Sequence, residues 1–454
     1  MARWGEELPR IARMGFDWVY LNPFHYPGFS GSLYAVKDYH RLHPLLDDGR
    51  PPERQLRDFI ELAQGLGLKV MMDLVINHTS KDAILVEEHP QWYARTADGA
   101  LKSPGAVDPD DPAKITEWGD LAEIDYARPA LHPALIDHWG QLVRYYADLG
   151  FHGFRCDAAY QVPAAVWAGI IAPIRADAAH IHFAAETLGC TPEQIEALHQ
   201  AGFDTMFNSS KWWDFHQPWL LEQYEALRAV APSISFPESH DTERLGVDLV
   251  VGSPEAWAKL KALFAAFFSA GWMMPIGYEW GYRAKLDVVA TRPTDREAIR
   301  FDISPFIAEL NRVKAETEAL NAEGPQRRLT PPEWSVAVLL RLTPAQDQAA
   351  LAVLNTDPLH IHRVDLLTLL RDAGLAPGRF TDCTPGGLGG GVPARMELAP
   401  LEARLFRTMP PDFKALPPPS GLPEMQVPGI LILAVSPCVD GGRYPVKREV
   451  GDVL

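Results

Sequence analysis

The chain of 454 residues carries 42 Lys and Arg against 59 Asp and Glu, a formal charge of -17 that excludes a polyanionic partner, since nucleic-acid binding rests on clustered cations. Hydrophobic residues make up 47% and charged residues 22%, the balance of a globular chain with a large core, which excludes wholesale disorder. No apolar run reaches the ~18 residues of a membrane span. Residues 1–13 hold no apolar signal segment, and Cys156, Cys190, Cys383 and Cys438 are too few and too scattered for a disulfide scaffold or a zinc site. A cytoplasmic protein that engages no membrane is expected.

The chain opens on a helical stretch, 6–14, and then alternates short apolar runs with amphipathic segments. Strands are predicted at 17–21, 69–75, 153–156, 180–185, 205–207, 233–236 and 272–276, and helices at 53–66, 132–147, 192–201, 220–231 and 254–270. Such alternation predicts a parallel sheet covered by helices over residues 1–325, either a barrel or a doubly wound sheet, with a short insert at about 79–125. A barrel of this kind needs eight strands and seven are found, so its first strand is read as missing. From 326 to 408, segments 335–342, 349–355, 363–367 and 394–407 predict a small antiparallel β-sandwich, interrupted by Gly386-Gly387 and Gly389-Gly390-Gly391. Proline, 40 of 454 residues, is concentrated in a linker at 409–428. Residues 429–454, with an apolar run at 430–435, read as the start of a further domain.

In an α/β barrel, polar residues that directly follow a strand face the mouth where chemistry takes place. Four strand ends carry them. The segment 69–75 runs into Asp73-Leu74-Val75-Ile76-Asn77-His78, and the next strand reads Gly153-Phe154-Arg155-Cys156-Asp157. Beyond these, Ala184-Ala185-Glu186-Thr187 and Phe236-Pro237-Glu238-Ser239-His240-Asp241 end their own strands. Any one of these acids has an ordinary reading as a helix cap or a partner for an Arg. Together, three acids, one Arg and two His at one mouth would be costly as mere structure, because clustered like charges oppose one another.

These four segments, in this order, resemble the motifs of the α-amylase family, glycoside hydrolase family 13, and the resemblance spans about residues 4–408. It implies a (β/α)8 TIM barrel, here without its first strand, followed by the β-sandwich. It also implies a retaining glycoside hydrolase or transglycosidase acting on α-1,4-linked glucose oligosaccharides by double displacement. By the resemblance, Asp157 is the nucleophile, Glu186 the general acid/base and Asp241 the third acid, which favours the distorted sugar ring. Arg155 orients the nucleophile, His78 and His240 hydrogen-bond the same sugar, and Tyr34 is the platform beneath it. Trp118, Trp212, Trp213 and Trp219 extend the sugar surface or pack in the core. No cofactor is required; calcium, which many members bind, is left open, with Asn77 and Asp120 at two ligand positions and Gln161 in place of a His. Tyr160 replaces a Lys that binds substrate on the acceptor side. Residues 430–450 resemble the opening of the amino-terminal domain of bacterial maltosyltransferases. The expected partner is an α-glucan or maltooligosaccharide, and a downstream fused maltosyltransferase is expected. The alternatives are a maltosyl-transferring enzyme of glycogen or α-glucan synthesis, and a non-catalytic glucan-binding module.

Overall fold

Seven short parallel strands are laid down in chain order, and each pairs with the next: β1 (Trp18–Leu21), β2 (Lys69–Leu74), β3 (Gly153–Cys156), β4 (His182–Glu186), β5 (Thr205–Phe207), β6 (Ser233–Ser235) and β7 (Gly271–Trp272). The computed structural model describes residues 1–408, apart from 109, 110, 250 and 388. The linker expected at 409–428 and the domain start expected at 429–454 lie outside the described residues. All seven predicted runs become strands of one curled sheet, although β7 is cut to two residues.

Helices return the chain between strands: α1 (Leu8–Arg13) before β1, then α2 (Pro52–Gly65), α3 (His132–Leu149), α4 (Ala164–Asp177), α5 (Pro192–Ala197), α6 (Trp219–Val230), α7 (Pro254–Phe268) and α8 (Ser304–Ala315). In α2, Pro52 and Glu53 occupy the first turn, and Leu56, Phe59, Ile60 and Ala63 form the buried stripe. Helix α4 is not among the predicted helices. It is apolar nearly all round and contains Pro173, so no one-sided stripe announces it. Among the described residues, no helix is long and apolar enough to cross a membrane.

Strands β1 and β7 are the two ends of the sheet and are joined by side chains. The rings of Phe16 and Trp272 lie 5.1 Å apart. Asn311 on α8 accepts from Trp272 Nε1 at 2.7 Å and donates through Nδ2 to Met14 O at 2.9 Å. Arg10 of α1 pairs with buried Glu279 beyond β7 and lies 4.1 Å over the Trp280 ring.

The remaining strands form a five-stranded antiparallel sheet in the order β8 (Gln326–Arg328), β9 (Val336–Leu342), β10 (Ala349–Asn355), β14 (Ala403–Thr408) and β12 (Phe380–Asp382). A two-stranded sheet of β11 (His362–Val364) and β13 (Met396–Leu398) completes the sandwich. Val338, Leu340, Leu351 and Val353 join Leu398 and Phe406 in the sandwich core. Their neighbours Ala337, Leu339, Ala350 and Ala352 pack with Phe264 and Phe267 of α7. Both faces of β9 and β10 are therefore buried, and both read as continuous apolar runs without alternation. Two predicted segments need correction. The segment 363–367 divides into β11 and a helix, Leu366–Asp372, started by the Asp365 side chain accepting from Thr368 N. The segment 394–407 divides into β13 and β14 at Leu401, whose φ of 56° breaks the extended run.

Replacing Asn311 with Ala strands two buried groups, the Met14 carbonyl and the Trp272 N–H. It is expected to lower unfolding stability by about 2–3 kcal/mol, read as a reduced denaturant midpoint.

Candidate active site

Alternation along the strands sends every second side chain into the barrel. Met71, Ala184, Phe207 and Phe236 form an apolar floor with Trp18, Tyr20, Ile234 and Met273 around it. Gly153 belongs to this layer. A Cβ there would stand 2.9 Å from His182 O and 3.1 Å from the Trp18 ring, so only glycine leaves the indole its place. Two residues further along, the register sets Arg155 directly beside Asp73 on β2 and beside Ala184 on β4.

Arg155 is the hub of the mouth. Its Nη1 lies 2.9 Å from Asp73 Oδ1 and 2.6 Å from Asp157 Oδ1, and its Nη2 lies 3.3 Å from Glu186 Oε2. Burial works against its charge, but Asp73 and Glu186 outweigh it and hold the guanidinium firmly protonated. Three carboxylates thus share one buried cation. Burial pushes Asp157 well above the usual carboxylate range; Glu186 and Asp73 push the same way, against Arg155. Immediately after Asp157 the backbone turns left-handed at Ala158, with φ 41° and ψ 47°, and Ala158 N donates to Glu186 Oε2 at 2.6 Å. An alanine in this conformation is strained, and the strain is held where the second carboxylate is fixed.

Asp73 extends the hub sideways. Its Oδ2 accepts from Tyr20 Oη at 2.5 Å and from Tyr34 Oη at 2.6 Å. Burial above all, with Asp73 adding to it, keeps both phenols well above their ordinary range, so they remain donors. With its proton committed to Asp73, the Tyr34 oxygen accepts from His240 Nε2–H at 2.6 Å, and that nitrogen is 3.0 Å from Asp241 Oδ2. Burial raises the Asp241 carboxyl, but the His240 hydrogen bond and charge prevail and hold it below its usual range. The Asp241 side chain is 52% exposed and open to a ligand.

Loops fix these groups from outside. Tyr34 sits between the paired strands His25–Pro27 and Val36–Leu42. That connection is pinned by Leu33 N donating to Val288 O and by Gly28, where a Cβ would fall 1.9 Å from Ser80 Oγ. His240 and Asp241 are backed by a buried ion pair, Arg244 Nη1 to Glu238 Oε1 at 2.6 Å, and Arg244 also donates to Ile276 O and Ala284 O. His78 begins the strand His78–Ser80 in the insert, with both ring nitrogens buried and without a hydrogen-bond partner. Burial lowers it to about 4, so at neutral pH it presents an uncharged imidazole.

A family model of the glycogen debranching enzyme glucanotransferase domain matches residues 1–99. The α-1,4-glucan:maltose-1-phosphate maltosyltransferase of Burkholderia pseudomallei (strain K96243) is 29% identical over 489 aligned residues, covering 99% of this chain and 41% of that protein. Its namesake in Myxococcus xanthus (strain DK1622) is 27% identical over 77% of this chain and 55% of its own length. An α-amylase from Lactobacillus plantarum superposes with a TM-score of 0.68 at 23% identity, covering 90% of this chain and 94% of its own. The fold is that of the α-amylase family. The chain spans about half the length of the maltosyltransferases it matches.

Within this α-amylase fold, six of the seven predicted site residues, Asp157, Glu186, Asp241, Arg155, His240 and Tyr34, fall into one network of hydrogen bonds and ion pairs. His78 makes no hydrogen bond in it. Two members were not predicted. Asp73 stands at a strand end like the other acids, but its partners come from elsewhere in the chain; Tyr20 lies inside an apolar run, where nothing local marks it. Of the four tryptophans, Trp213 is buried against Phe215 and Phe264 and Trp219 packs on the same core, while Trp212 and Trp118 stay 52% and 38% exposed. At the calcium position of the α-amylase family, Asn77 Oδ1 is buried without a hydrogen-bond partner, and Asn77 Nδ2 donates to Gln161 Oε1 at 3.1 Å. Among the described residues, no group of three or more His, Cys, Asp or Glu could hold a metal. One amide oxygen and Asp120 do not by themselves make the six-to-eight-oxygen shell of calcium.

The raised Asp157 carboxyl takes up its proton in the folded state before the unfolded chain does. Stability therefore falls as pH rises from the ordinary value near 3.8 through the folded one. Asp157→Asn removes that penalty and is expected to stabilise the fold by roughly 1–3 kcal/mol at pH 7. In thermal melts the gain should shrink toward pH 4; a melting temperature at pH 7 equal to or below the wild type would contradict the charge balance.

Proposed function

We propose that the chain is a retaining α-glucan-active enzyme, a glycoside hydrolase or transglycosidase that works on α-1,4-linked glucose oligosaccharides by double displacement. The observation that carries this reading is the gathering of Asp157 and Glu186 on the two Nη atoms of one guanidinium. That sharing favours the short carboxyl separation of a retaining pair, about 5–5.5 Å, over the ~6.5–9.5 Å of an inverting pair.

In the first step, an Asp157 oxygen attacks C1 of the donor glucose while the C1–O glycosidic bond breaks, and Glu186 gives its proton to the leaving oxygen. Arg155 lies closer to Asp157, at 2.6 Å, than to Glu186, at 3.3 Å, which supports Asp157 as the carboxylate that attacks. Glu186 Oε2 is held by Ala158 N, which leaves Oε1 to face the glycosidic oxygen. In the second step, Glu186 takes the proton from water or a sugar hydroxyl as that oxygen attacks C1, and the Asp157 carboxylate leaves. Two inversions retain the α configuration. Tyr34, His78, His240 and Asp241 hold the hydroxyls and apolar face of the same sugar, with Asp73 and Tyr20 positioning Arg155 and Tyr34.

The matches named maltosyltransferases favour a second reading, in which the donor is a maltosyl unit and the acceptor a growing α-glucan. That more than half of the Burkholderia protein lies outside the match supports a place for this chain inside a longer polypeptide with a further maltosyltransferase region. The free thiols Cys156, Cys190 and Cys383 suit work in the cytoplasm.

Incubated with maltopentaose, the protein should give products whose new anomeric centre is α, observed by NMR before mutarotation. Asp157→Ala should lower turnover at least about 10³-fold while maltopentaose still binds. Glu186→Gln should lose maltopentaose turnover, yet still release fluoride from α-maltosyl fluoride, whose leaving group needs no proton. Binding with no product from the wild type would replace the enzyme by a glucan-binding module, and β products would end the retaining assignment.

A further inference from the structure

The residues that grip the donor sugar follow β1, β2 and β6, whereas Glu186 ends β4. The leaving sugar, and any acceptor that replaces it, must therefore lie against the loops flanking β4, those that follow β3 and β5. The first loop presents Tyr160, half-buried and within electrostatic reach of Glu186. The second presents Trp212, a residue 52% exposed although its chain neighbour Trp213 is buried.

An exposed tryptophan alone would mean little. Trp212 differs because the segment that carries it is fixed at successive residues. Asn208 Nδ2 donates to Ser235 Oγ at 3.1 Å and Ser269 Oγ at 2.8 Å, and Ser209 N donates to Gln223 Oε1 at 2.9 Å. Ser210 N donates to Asn208 Oδ1, while Ser210 Oγ accepts from Phe236 N at 3.0 Å. Lys211 O accepts from Lys261 Nζ at 3.2 Å. The Trp212 ring then stands edge-on to Phe236, with centroids 6.2 Å apart and planes at 85°. Phe236 belongs to the barrel floor and leads into the His240-Asp241 segment. A large flat ring is thus held at the mouth on a rigid turn with half its surface uncovered, an arrangement that costs apolar exposure unless a ligand covers it.

We propose that Trp212 is the stacking platform for an acceptor glucan and biases the enzyme toward transfer. This rests on the double-displacement reading above. Once the donor is held as an ester of Asp157, an acceptor glucose stacked on Trp212 directs a hydroxyl at C1. That oxygen forms the new glycosidic bond, its proton passes to Glu186, and the bond from C1 to Asp157 breaks. The local concentration of the bound acceptor lets it outcompete water.

The test uses the full chain with α-maltosyl fluoride as donor and maltotetraose as acceptor, comparing wild type, Trp212→Ala and Trp212→Phe. Fluoride release without acceptor should stay within about 2-fold in all three, since Trp212 does not touch the donor. Trp212→Ala should lower the ratio of transfer to hydrolysis about 10-fold or more and raise the KM for maltotetraose, and Trp212→Phe should keep most of both. Independently, maltotetraose binding to the inactive Asp157→Asn protein, measured by calorimetry, should weaken about 10-fold on adding Trp212→Ala. Unchanged product ratio and unchanged maltotetraose binding overturn the proposal. Absence of fluoride release from the wild type would instead defeat the catalytic reading, and the calorimetric arm would still decide whether Trp212 carries glucan.

Discussion

The mouth of this barrel depends on an unequal charge count: three carboxylates, Asp73, Asp157 and Glu186, around the single guanidinium of Arg155. One cation cannot neutralise three anions in a buried place, and the imbalance falls on Asp157, whose carboxyl is pushed well above the usual range by burial, Glu186 and Asp73, against Arg155. Asp73 is the fixed member, capped by Tyr20 and Tyr34 and level with Arg155 in the sheet register. The other two, Asp157 and Glu186, each meet Arg155 through a single contact. In the proposed mechanism, the sheet pairing thus separates the structural acid from the two reactive ones.

The same register explains why the network reaches as far as Asp241. Asp73 passes its hold through the Tyr34 hydroxyl to His240, and His240 to Asp241, so groups that end or follow β2, β1 and β6 share one chain of polar contacts. Cooperative networks of this kind are rigid when every member is satisfied. Here the outermost member, Asp241, keeps half of its side chain exposed, and His78 stands outside the network with both ring nitrogens buried and without a hydrogen-bond partner.

Much of this was legible in the amino-acid order. Strands buried on both faces are written as unbroken apolar runs, and an acid that directly follows such a run is conspicuous, which marked Asp157 and Glu186; His240 and Asp241 stand four and five residues beyond Phe236 and were marked by the resemblance of their segment. Side-chain partners from distant segments are not written locally. Tyr20 is hidden in an apolar run, and the role of Asp73 emerges only when β1, β2 and β3 lie together. Helix α4 escaped because alanine, glycine and proline on its outer face blur the helical stripe, and Trp213 parted from Trp212 because a turn, set by tertiary contacts, buries one ring and leaves the other exposed.

Helix α7 carries a further consequence. From Leu260 to Phe268 every residue is buried, with one side against the barrel strands and the other against β9 and β10 of the sandwich. The helix has no outer surface there and serves as the middle layer of a three-layer stack. Variation in the sandwich is thereby constrained, because the small apolar residues facing α7 can change only in step with the phenylalanines beneath them.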